Sequence, residues 1–196
     1  MVITPLTNRC YLGLTGALHR KLGGGVIGAT GSGKTETIKE LGNALAMHTV
    51  VFNCSDKLKS FAVERFLKGV ASSGAWAILD DIARVQVEVL SVVAQQISTI
   101  QRAQQQQAEN FVFGGMEIPL VSSCAIFFTM NFGHTPCNKI PANLKKLFRP
   151  VSMVIPEYDM VAEISLYSLG FSNANALSKK IHTFFRLLFD QLASQV

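Results

Sequence analysis

The sequence predicts an α/β fold in which a parallel sheet of five strands carries helices on both faces. Five short apolar and β-branched runs alternate with segments whose apolar residues recur at helical spacing. Such an alternation produces parallel strands joined by crossover helices. Of the 196 residues, 48% are hydrophobic and 16% are charged, which excludes a disordered segment and a coiled coil. The length corresponds to one domain with, at most, part of a second.

The strands and helices are predicted in the following order. The apolar runs that we interpret as buried strands are residues 26–28, 49–53, 76–79, 124–130 and 151–155. Helical spacing predicts helices over residues 35–47, 58–70, 88–108 and 143–148. Residues 111–120, with Gly114 and Gly115 in the middle, indicate a β-hairpin. The glutamine run at residues 104–107 is expected to be a solvated helix end.

The pattern becomes entirely helical after Pro156, and we place a domain boundary there. Residues 1–156 are the predicted large α/β subdomain, and residues 157–196 are the predicted start of a small helical subdomain. A C-terminal helix is predicted to be amphipathic, because one face carries Leu177, Ile181, Phe184, Phe185, Leu188 and Leu192.

The charge, the cysteines and the apolar runs argue against a nucleic-acid-binding protein, a zinc site and a membrane-spanning segment. The net charge is +5, but the basic residues form no run, so we expect no nucleic-acid partner. No cysteine pair has metal-ligand spacing, which fits a reducing cytoplasm and no zinc site; the cysteines are Cys10, Cys54, Cys124 and Cys137. The longest apolar run, residues 120–132, is too short and too interrupted to cross a membrane.

A glycine-rich segment follows the first strand and has the residue types of a phosphate-binding loop. It matches the pattern Gly-x-x-x-x-Gly-Lys-Ser/Thr throughout, with Gly28, Ala29, Thr30, Gly31, Ser32, Gly33, Lys34 and Thr35. Glycines let backbone amides curl around phosphate oxygens, and the next helix points its positive dipole end at the same anion. Lys34 is expected to reach the β- and γ-phosphates of ATP, and the Thr35 hydroxyl to bind Mg²⁺. The alternative is a glycine-rich turn without a ligand.

Two carboxylates, Asp80 and Asp81, follow the third predicted strand. Ligands of a nucleotide-binding parallel sheet lie at the carboxyl ends of its strands. Asp80 is therefore expected to hold Mg²⁺, directly or through water, and Asp81 to orient and polarise the attacking water. The alternative is an acidic pair that caps the next helix.

Two further polar residues are candidates for catalysis. Asn131 ends the fourth predicted strand, where its amide could hold the attacking water near the γ-phosphate; the alternative is a turn-starting asparagine. Arg149 follows the short helical stretch 143–148 and could be an arginine finger supplied in trans to a neighbouring module. Its alternative is a solvated arginine favoured by the helix dipole.

Several motifs occur in an order that resembles the first AAA+ module of dynein heavy chains. They are GATGSGKTET, VVFNCSD, WAILDD, VEVLSVVAQQI, FFTMN and NLKKLFRPV, and the opening ITPLTNRCYLGLTGAL and the segment EISLYSLGF are also similar. The resemblance covers essentially the whole chain and leans towards axonemal dyneins. It implies a P-loop AAA+ fold, with the main ATP-hydrolysing site of the motor followed by the start of a small helical subdomain.

The resemblance also implies residue roles, partners and a location. Residues 28–35 would bind the ATP phosphates, Asp80 would support Mg²⁺, Asp81 would stand at the position of the catalytic glutamate, and Asn131 would be the sensor asparagine. Ile3 and Leu6 would line the adenine pocket. The implied partners are neighbouring AAA+ modules of the same chain, dynein intermediate and light chains, and microtubules, reached through parts outside this sequence. The implied location is the cytoplasm and cytoskeleton, in the axoneme of a cilium or flagellum.

Three departures from the family pattern bear on turnover. Asp81 replaces a glutamate and is one methylene shorter, and a misplacement of about 1 Å can cost about a hundredfold in rate. Ala29 and Thr30 replace Pro-Ala, which is expected to be tolerated because backbone groups bind the phosphates. After Asn131 the family continues Pro-Gly-Tyr-Ala-Gly-Arg, whereas this chain has residues 132–137 of different type, so the loop geometry is expected to differ.

The predicted nucleotide-binding site is therefore consistent with three candidate functions. The first is ATP binding and Mg²⁺-dependent hydrolysis that powers movement along microtubules. The second is a structural or regulatory module that binds ATP without turning it over, because Asp81 is in the base position. The third is a P-loop transferase, which predicts an arginine-rich lid and an acceptor pocket, and the sequence shows neither.

Overall fold

A five-stranded parallel sheet forms the centre of the computed structural model, which describes residues 2–131 and 140–192. The strands of the chain are β1 (Gly23–Gly28), β2 (Thr49–Asn53), β3 (Trp76–Asp80), β4 (Asn110–Phe113), β5 (Met116–Pro119), β6 (Ala125–Asn131) and β7 (Phe148–Met153). The sheet has the order β2-β3-β6-β1-β7, and every neighbouring pair is parallel. The predicted α/β fold is thereby confirmed, and β4 and β5 form the predicted antiparallel hairpin.

Helices lie on both faces of this sheet. They are α1 (Pro5–His19), α2 (Lys34–Ala44), α3 (Ser60–Ser73), α4 (Val87–Gln105), α5 (Ala142–Leu147), α6 (Tyr158–Ser168) and α7 (Ala174–Leu192). One apolar core contains residues of α3, α4 and α5, and the other contains residues of α1 and α2. Phe127 of β6 belongs to the second core, whereas its neighbours Ile126 and Phe128 belong to the first. This alternation explains why the inner strands β3 and β6 are almost continuously apolar, since both of their faces are buried, whereas the edge strands β2 and β7 are more exposed.

Helix α1 is an element that the sequence reasoning did not assign. The Thr4 side chain accepts a hydrogen bond from the Thr7 backbone N–H, and the Thr7 hydroxyl accepts one from the Thr4 N–H. Pro5 occupies the first turn, where its missing N–H has no helical partner to lose. The pair Thr4-Pro5 is therefore a sequence signal from which the start of helix α1 could have been predicted.

Strand β7 starts three residues earlier than predicted and ends at Met153 instead of residue 155. Phe148 pairs with Gly23 as the first residue of the strand, so the short helix α5 ends at Leu147. Pro150 lies inside the strand, although it has no N–H to donate. The strand is at the edge of the sheet, where a proline can be accommodated.

The glutamine run at the end of α4 is only partly solvated, which corrects the prediction. Gln105 to Gln107 are exposed, but Gln104 is buried and its amide donates to the Cys124 carbonyl oxygen at 2.7 Å. The spacing of Ile97, Ile100 and Gln104 puts the first glutamine on the buried face. Within one helical turn, consecutive glutamine residues therefore differ in burial, the first in the core and the next three at the surface.

Helices α6 and α7 follow the sheet and pack against each other. Glu163 of α6 accepts a hydrogen bond from the Asn175 amide of α7 at 2.9 Å. The all-helical ending is as expected, while the division at residue 156 into two subdomains stays a prediction. Across the described ranges 2–131 and 140–192, none of the helices has both the length and the apolar character needed to traverse a bilayer.

Candidate phosphate-binding site

The glycine-rich segment forms a turn between the carboxyl end of β1 and the start of α2. Gly31 and Gly33 have φ angles of 80° and 82°, a left-handed region that favours glycine. A Cβ atom at Gly28 would collide with the carbonyl oxygen of Met153 in the neighbouring strand. The glycines of the motif are therefore required by the backbone path, and helix α2 begins at Lys34 with its amino end facing the turn.

Lys34 lies across this turn and is 7% exposed. Its Nζ donates to the carbonyl oxygens of Ala29 and Gly28, at 2.6 and 3.2 Å. Burial lowers the pKa of the Lys34 ammonium, and the charges of Asp80 and Asp81 act in the opposite direction. The ammonium is thus held beside the loop by acceptors that a phosphate oxygen could replace.

Asp80, the last residue of β3, is in direct contact with the loop helix. Its Oδ1 accepts hydrogen bonds from the Thr35 hydroxyl at 2.6 Å and from the Thr129 hydroxyl at 2.7 Å. Strand β6 lies beside β3, with Leu79 opposite Phe128, so Thr129 follows at the level of Asp80. A hydroxyl and a carboxylate oxygen meeting at this edge are the ligand types that Mg²⁺ prefers.

Asp81 begins a tight turn with φ 52° and ψ 56°, a left-handed conformation. Its backbone N–H donates to Thr129 Oγ1 at 3.0 Å, and its Oδ2 accepts from Arg84 Nε at 2.6 Å. The side chain makes no capping hydrogen bond to the 3-10 turn Ile82–Arg84 that follows. The capping alternative therefore does not describe Asp81 in this structure.

These groups line one cavity of about 370 Å³ at the carboxyl edge of the sheet. Of the predicted site residues, it brings together Thr30, Gly31, Gly33, Lys34, Thr35, Asp80, Asp81 and Asn131. Asn131 ends β6 and is half-buried, as its strand position predicts. The loop after it, residues 132–137 of the departure from the family pattern, lies outside the described residues.

The cavity also contains residues that the sequence reasoning did not select, namely Glu36, Asn53, Cys54, Arg84 and Thr129. Asn53 and Cys54 end and follow β2, so the strand-end rule applied to every strand would have found them. Burial raises the pKa of the Cys54 thiol to about 12, with smaller contributions from Asp80 and Asp81, which keeps the thiol protonated at neutral pH. Nothing in the sequence marks Thr129 as a site residue, because it lies inside an apolar strand.

Gly28, Ala29 and Ser32 belong to the loop but do not line this cavity. The three predicted residues outside the loop and the strand ends lie away from it. Ile3 is exposed, and Leu6 packs against the core that α1 and α2 share. Arg149 is exposed on β7 opposite Gly24, near the amino end of the strands. Four residues separate it from the end of β7, which is about 13 Å at 3.3 Å per residue. Arg149 is therefore remote from its own phosphate loop, and its role in trans stays a prediction.

Substitution of Thr129 by valine should destabilise the fold, because the hydroxyl serves both aspartates. Thr129→Val leaves the partly buried Asp81 N–H without its acceptor and removes one donor to Asp80. We expect the free energy of unfolding to fall by about 1–3 kcal/mol, measured by urea denaturation. Thr99→Val is the matched control, because its hydroxyl bonds the Gln95 carbonyl on an exposed helix surface. Equal losses in the two variants would contradict this role for Thr129.

Comparison with known proteins identifies the family. The model described as the hydrolytic ATP binding site of dynein motor region matches residues 1–196. The chain belongs to this dynein family. Mouse dynein axonemal heavy chain 1 is 63% identical over 195 residues, and mouse dynein axonemal heavy chain 12 is 55% identical over 195 residues. Human dynein axonemal heavy chain 3 is 52% identical over 195 residues.

Each of these alignments covers the whole of this chain but only 5 to 6% of the relative. The chain therefore corresponds to one AAA+ module of a dynein heavy chain. The α/β fold with its parallel sheet agrees with that assignment. The family resemblance and its axonemal leaning are both confirmed.

Proposed function

We propose that this dynein module binds ATP with Mg²⁺ and hydrolyses it by in-line attack of water on the γ-phosphate. The observation that carries the proposal is the 2.6 Å contact between Thr35 of the loop helix and Asp80 of β3, beside Lys34. It unites the loop that would hold the phosphates with the carboxylate that would hold the metal. The family description, a hydrolytic ATP binding site, supports the same activity.

Binding is assigned to the loop and to the two residues in contact at its edge. Backbone amides of residues 28–35 would surround the phosphates, and Lys34 would exchange its loop carbonyls for β- and γ-phosphate oxygens. Thr35 and Asp80 would hold Mg²⁺, whose chemistry is to neutralise charge that develops on the phosphate oxygens. Both groups fit this role, since their oxygens already meet at hydrogen-bond distance.

Water activation is assigned to the residues at the adjacent strand ends. Asp81 would accept the hydrogen bond that orients the attacking water, and the Asn131 amide would hold that water near the γ-phosphate. Ile3 and Leu6 would border the adenine from the amino-terminal side. Arg149 would reach the nucleotide of a neighbouring module, because it is exposed and far from its own loop.

At the level of the whole motor, we propose that this hydrolysis contributes to microtubule-based movement. The proposed partners are neighbouring AAA+ modules of the same heavy chain and the intermediate and light chains of dynein. Microtubules would be reached through other parts of the heavy chain. The axonemal relatives support a location in the cytoskeleton, in the axoneme of a cilium or flagellum.

A second candidate function is ATP binding without turnover, as in a structural or regulatory module. The specific observation in its favour is Asp81, an aspartate at the position where the family resemblance implies a glutamate. The shorter carboxylate is also engaged by Arg84 at 2.6 Å. Under this alternative, the loop would bind ATP as described, but no water would be oriented for attack.

Titration of the purified protein with ATP and Mg²⁺ by calorimetry, followed by product analysis, tests the proposal. We expect saturable ATP binding and the release of ADP and free phosphate in equal amounts. Binding without phosphate release would favour the second candidate. A phosphorylated acceptor in place of free phosphate would favour a transferase, and absence of binding would overturn all three functions.

A further inference from the structure

Arg84 is a charged residue of the cavity to which none of the roles above is assigned. It ends the 3-10 turn Ile82–Arg84, three residues after Asp81, and its backbone N–H donates to the Asp81 carbonyl oxygen at 3.1 Å. From this position its Nε reaches Asp81 Oδ2 at 2.6 Å. The contact is therefore a short, charge-assisted hydrogen bond within a closed turn.

The two partners of this ion pair differ in their freedom to move. The Asp81 side chain is 17% exposed, whereas that of Arg84 is 65% exposed. Ile82, between them, is buried in the apolar core, and the Asp81 N–H is tied to Thr129. The backbone of the turn is thus anchored on two sides, so the arginine can leave more easily than the aspartate can be redirected.

The ion pair engages one of the two oxygens with which the Asp81 carboxylate could orient water. A group that orients water must offer an acceptor oxygen within hydrogen-bond reach of that water. Arg84 occupies Oδ2, and the short aspartate side chain has one methylene less than glutamate with which to redirect its carboxylate. The left-handed backbone at Asp81 further limits where the carboxylate can point.

We propose that Arg84 is a positioning residue whose ion pair with Asp81 Oδ2 holds the carboxylate in place and thereby limits the rate of ATP hydrolysis. We call this ion pair the latch. The inference rests on the proposed function, because it concerns the same cavity and the same reaction. The ion pair fixes the orientation of the carboxylate, and release of Oδ2 by Arg84 leaves Asp81 free to turn and accept a hydrogen bond from the attacking water. Arg84 acts through Asp81 and is not itself assigned to the reacting atoms.

The test compares steady-state ATP hydrolysis by the purified parent, Arg84→Gln and Arg84→Lys. For Arg84→Gln we expect kcat to rise about tenfold, a small part of the about 10²- to 10⁴-fold that a positioned base contributes. KM for ATP should stay within about twofold, because solvent and salt screen this exposed charge. Arg84→Lys keeps a cation that can pair with Asp81, so its kcat should stay closer to that of the parent.

A second set of variants separates the latch from a general effect on the fold. In an Asp81→Asn background, Arg84→Gln should no longer raise kcat, since the carboxylate that it releases is absent. Lys68→Gln is the matched control, because it removes a cation from another ion pair, with Glu64 on α3. That change should leave kcat and KM as in the parent.

The outcomes distinguish failure of the latch from failure of the proposed function. If Arg84→Gln binds ATP but its kcat is unchanged or lower, or if the increase persists with Asp81→Asn, the latch is wrong and the nucleotide site stands. If the parent and Arg84→Gln both bind ATP without any turnover, the latch and hydrolysis both fail. If the parent binds no ATP in calorimetry, the proposed function itself fails.

Discussion

Replacing Lys34 by alanine should abolish useful ATP binding, with a loss of affinity of at least about a hundredfold. Such a loss corresponds to about 2.7 kcal/mol, within the range for removing charge-assisted hydrogen bonds to phosphate. The ammonium already bridges two loop carbonyls, those of Gly28 and Ala29, beside the Asp80 carboxylate. Calorimetric titration of Lys34→Ala with ATP and Mg²⁺ measures the effect directly.

Lys39→Ala provides the matched control on the same helix. Lys39 lies five residues further along α2, where its Nζ pairs with Glu36 at 2.7 Å. It carries the same charge but does not line the cavity, so its removal should change ATP affinity by less than about threefold through screened electrostatics. Equal losses in the two variants would show that only the net charge matters and that the loop is not the phosphate site.

The layered fold could be predicted because its signals are local and redundant. The strand at residues 49–53 was predicted with its observed bounds, because its β-branched and apolar residues are a local signal. The prediction that it is buried was wrong, since it lies at the edge of the sheet and is only partly buried. Strand β7 was misjudged because its start depends on pairing with Gly23 across the sheet, and Pro150 hid the strand character. The order of the strands is a property of long-range packing that no single segment reveals.

The residues of the candidate site also fall into two groups, those that the sequence predicts and those that only the structure reveals. Lys34, Thr35 and Asp80 could be selected because phosphate and metal binding restrict residue types at fixed positions. Thr129 and Arg84 could not, because their importance lies in which atoms they meet, at 2.7 and 2.6 Å from the two aspartates. A threonine within an apolar strand and an arginine in a surface turn are ordinary in sequence, and only the three-dimensional contacts distinguish them.

Restoring the longer carboxylate at position 81 should accelerate hydrolysis while weakening the fold. Asp81→Glu extends the side chain by one methylene, and recovering about 1 Å of reach is worth up to about a hundredfold in rate. At φ 52°, however, aspartate is better tolerated than glutamate, because its short side chain suits left-handed backbone. We expect kcat to rise about tenfold or more and the free energy of unfolding to fall by about 1 kcal/mol.

Phosphate release and urea denaturation, measured on the same preparations, check both parts of this expectation. Asp81→Asn is the matched control, because it preserves side-chain length and tolerance of the left-handed turn but removes the charge that Arg84 and the water both use. Its turnover should fall to the level of Lys34→Ala. If Asp81→Glu is no faster than the parent and Asp81→Asn is no slower, position 81 does not orient the water. The base would then have to be sought among the other residues of the cavity, where Glu36 is the carboxylate that remains, among those described, besides the proposed metal ligand Asp80.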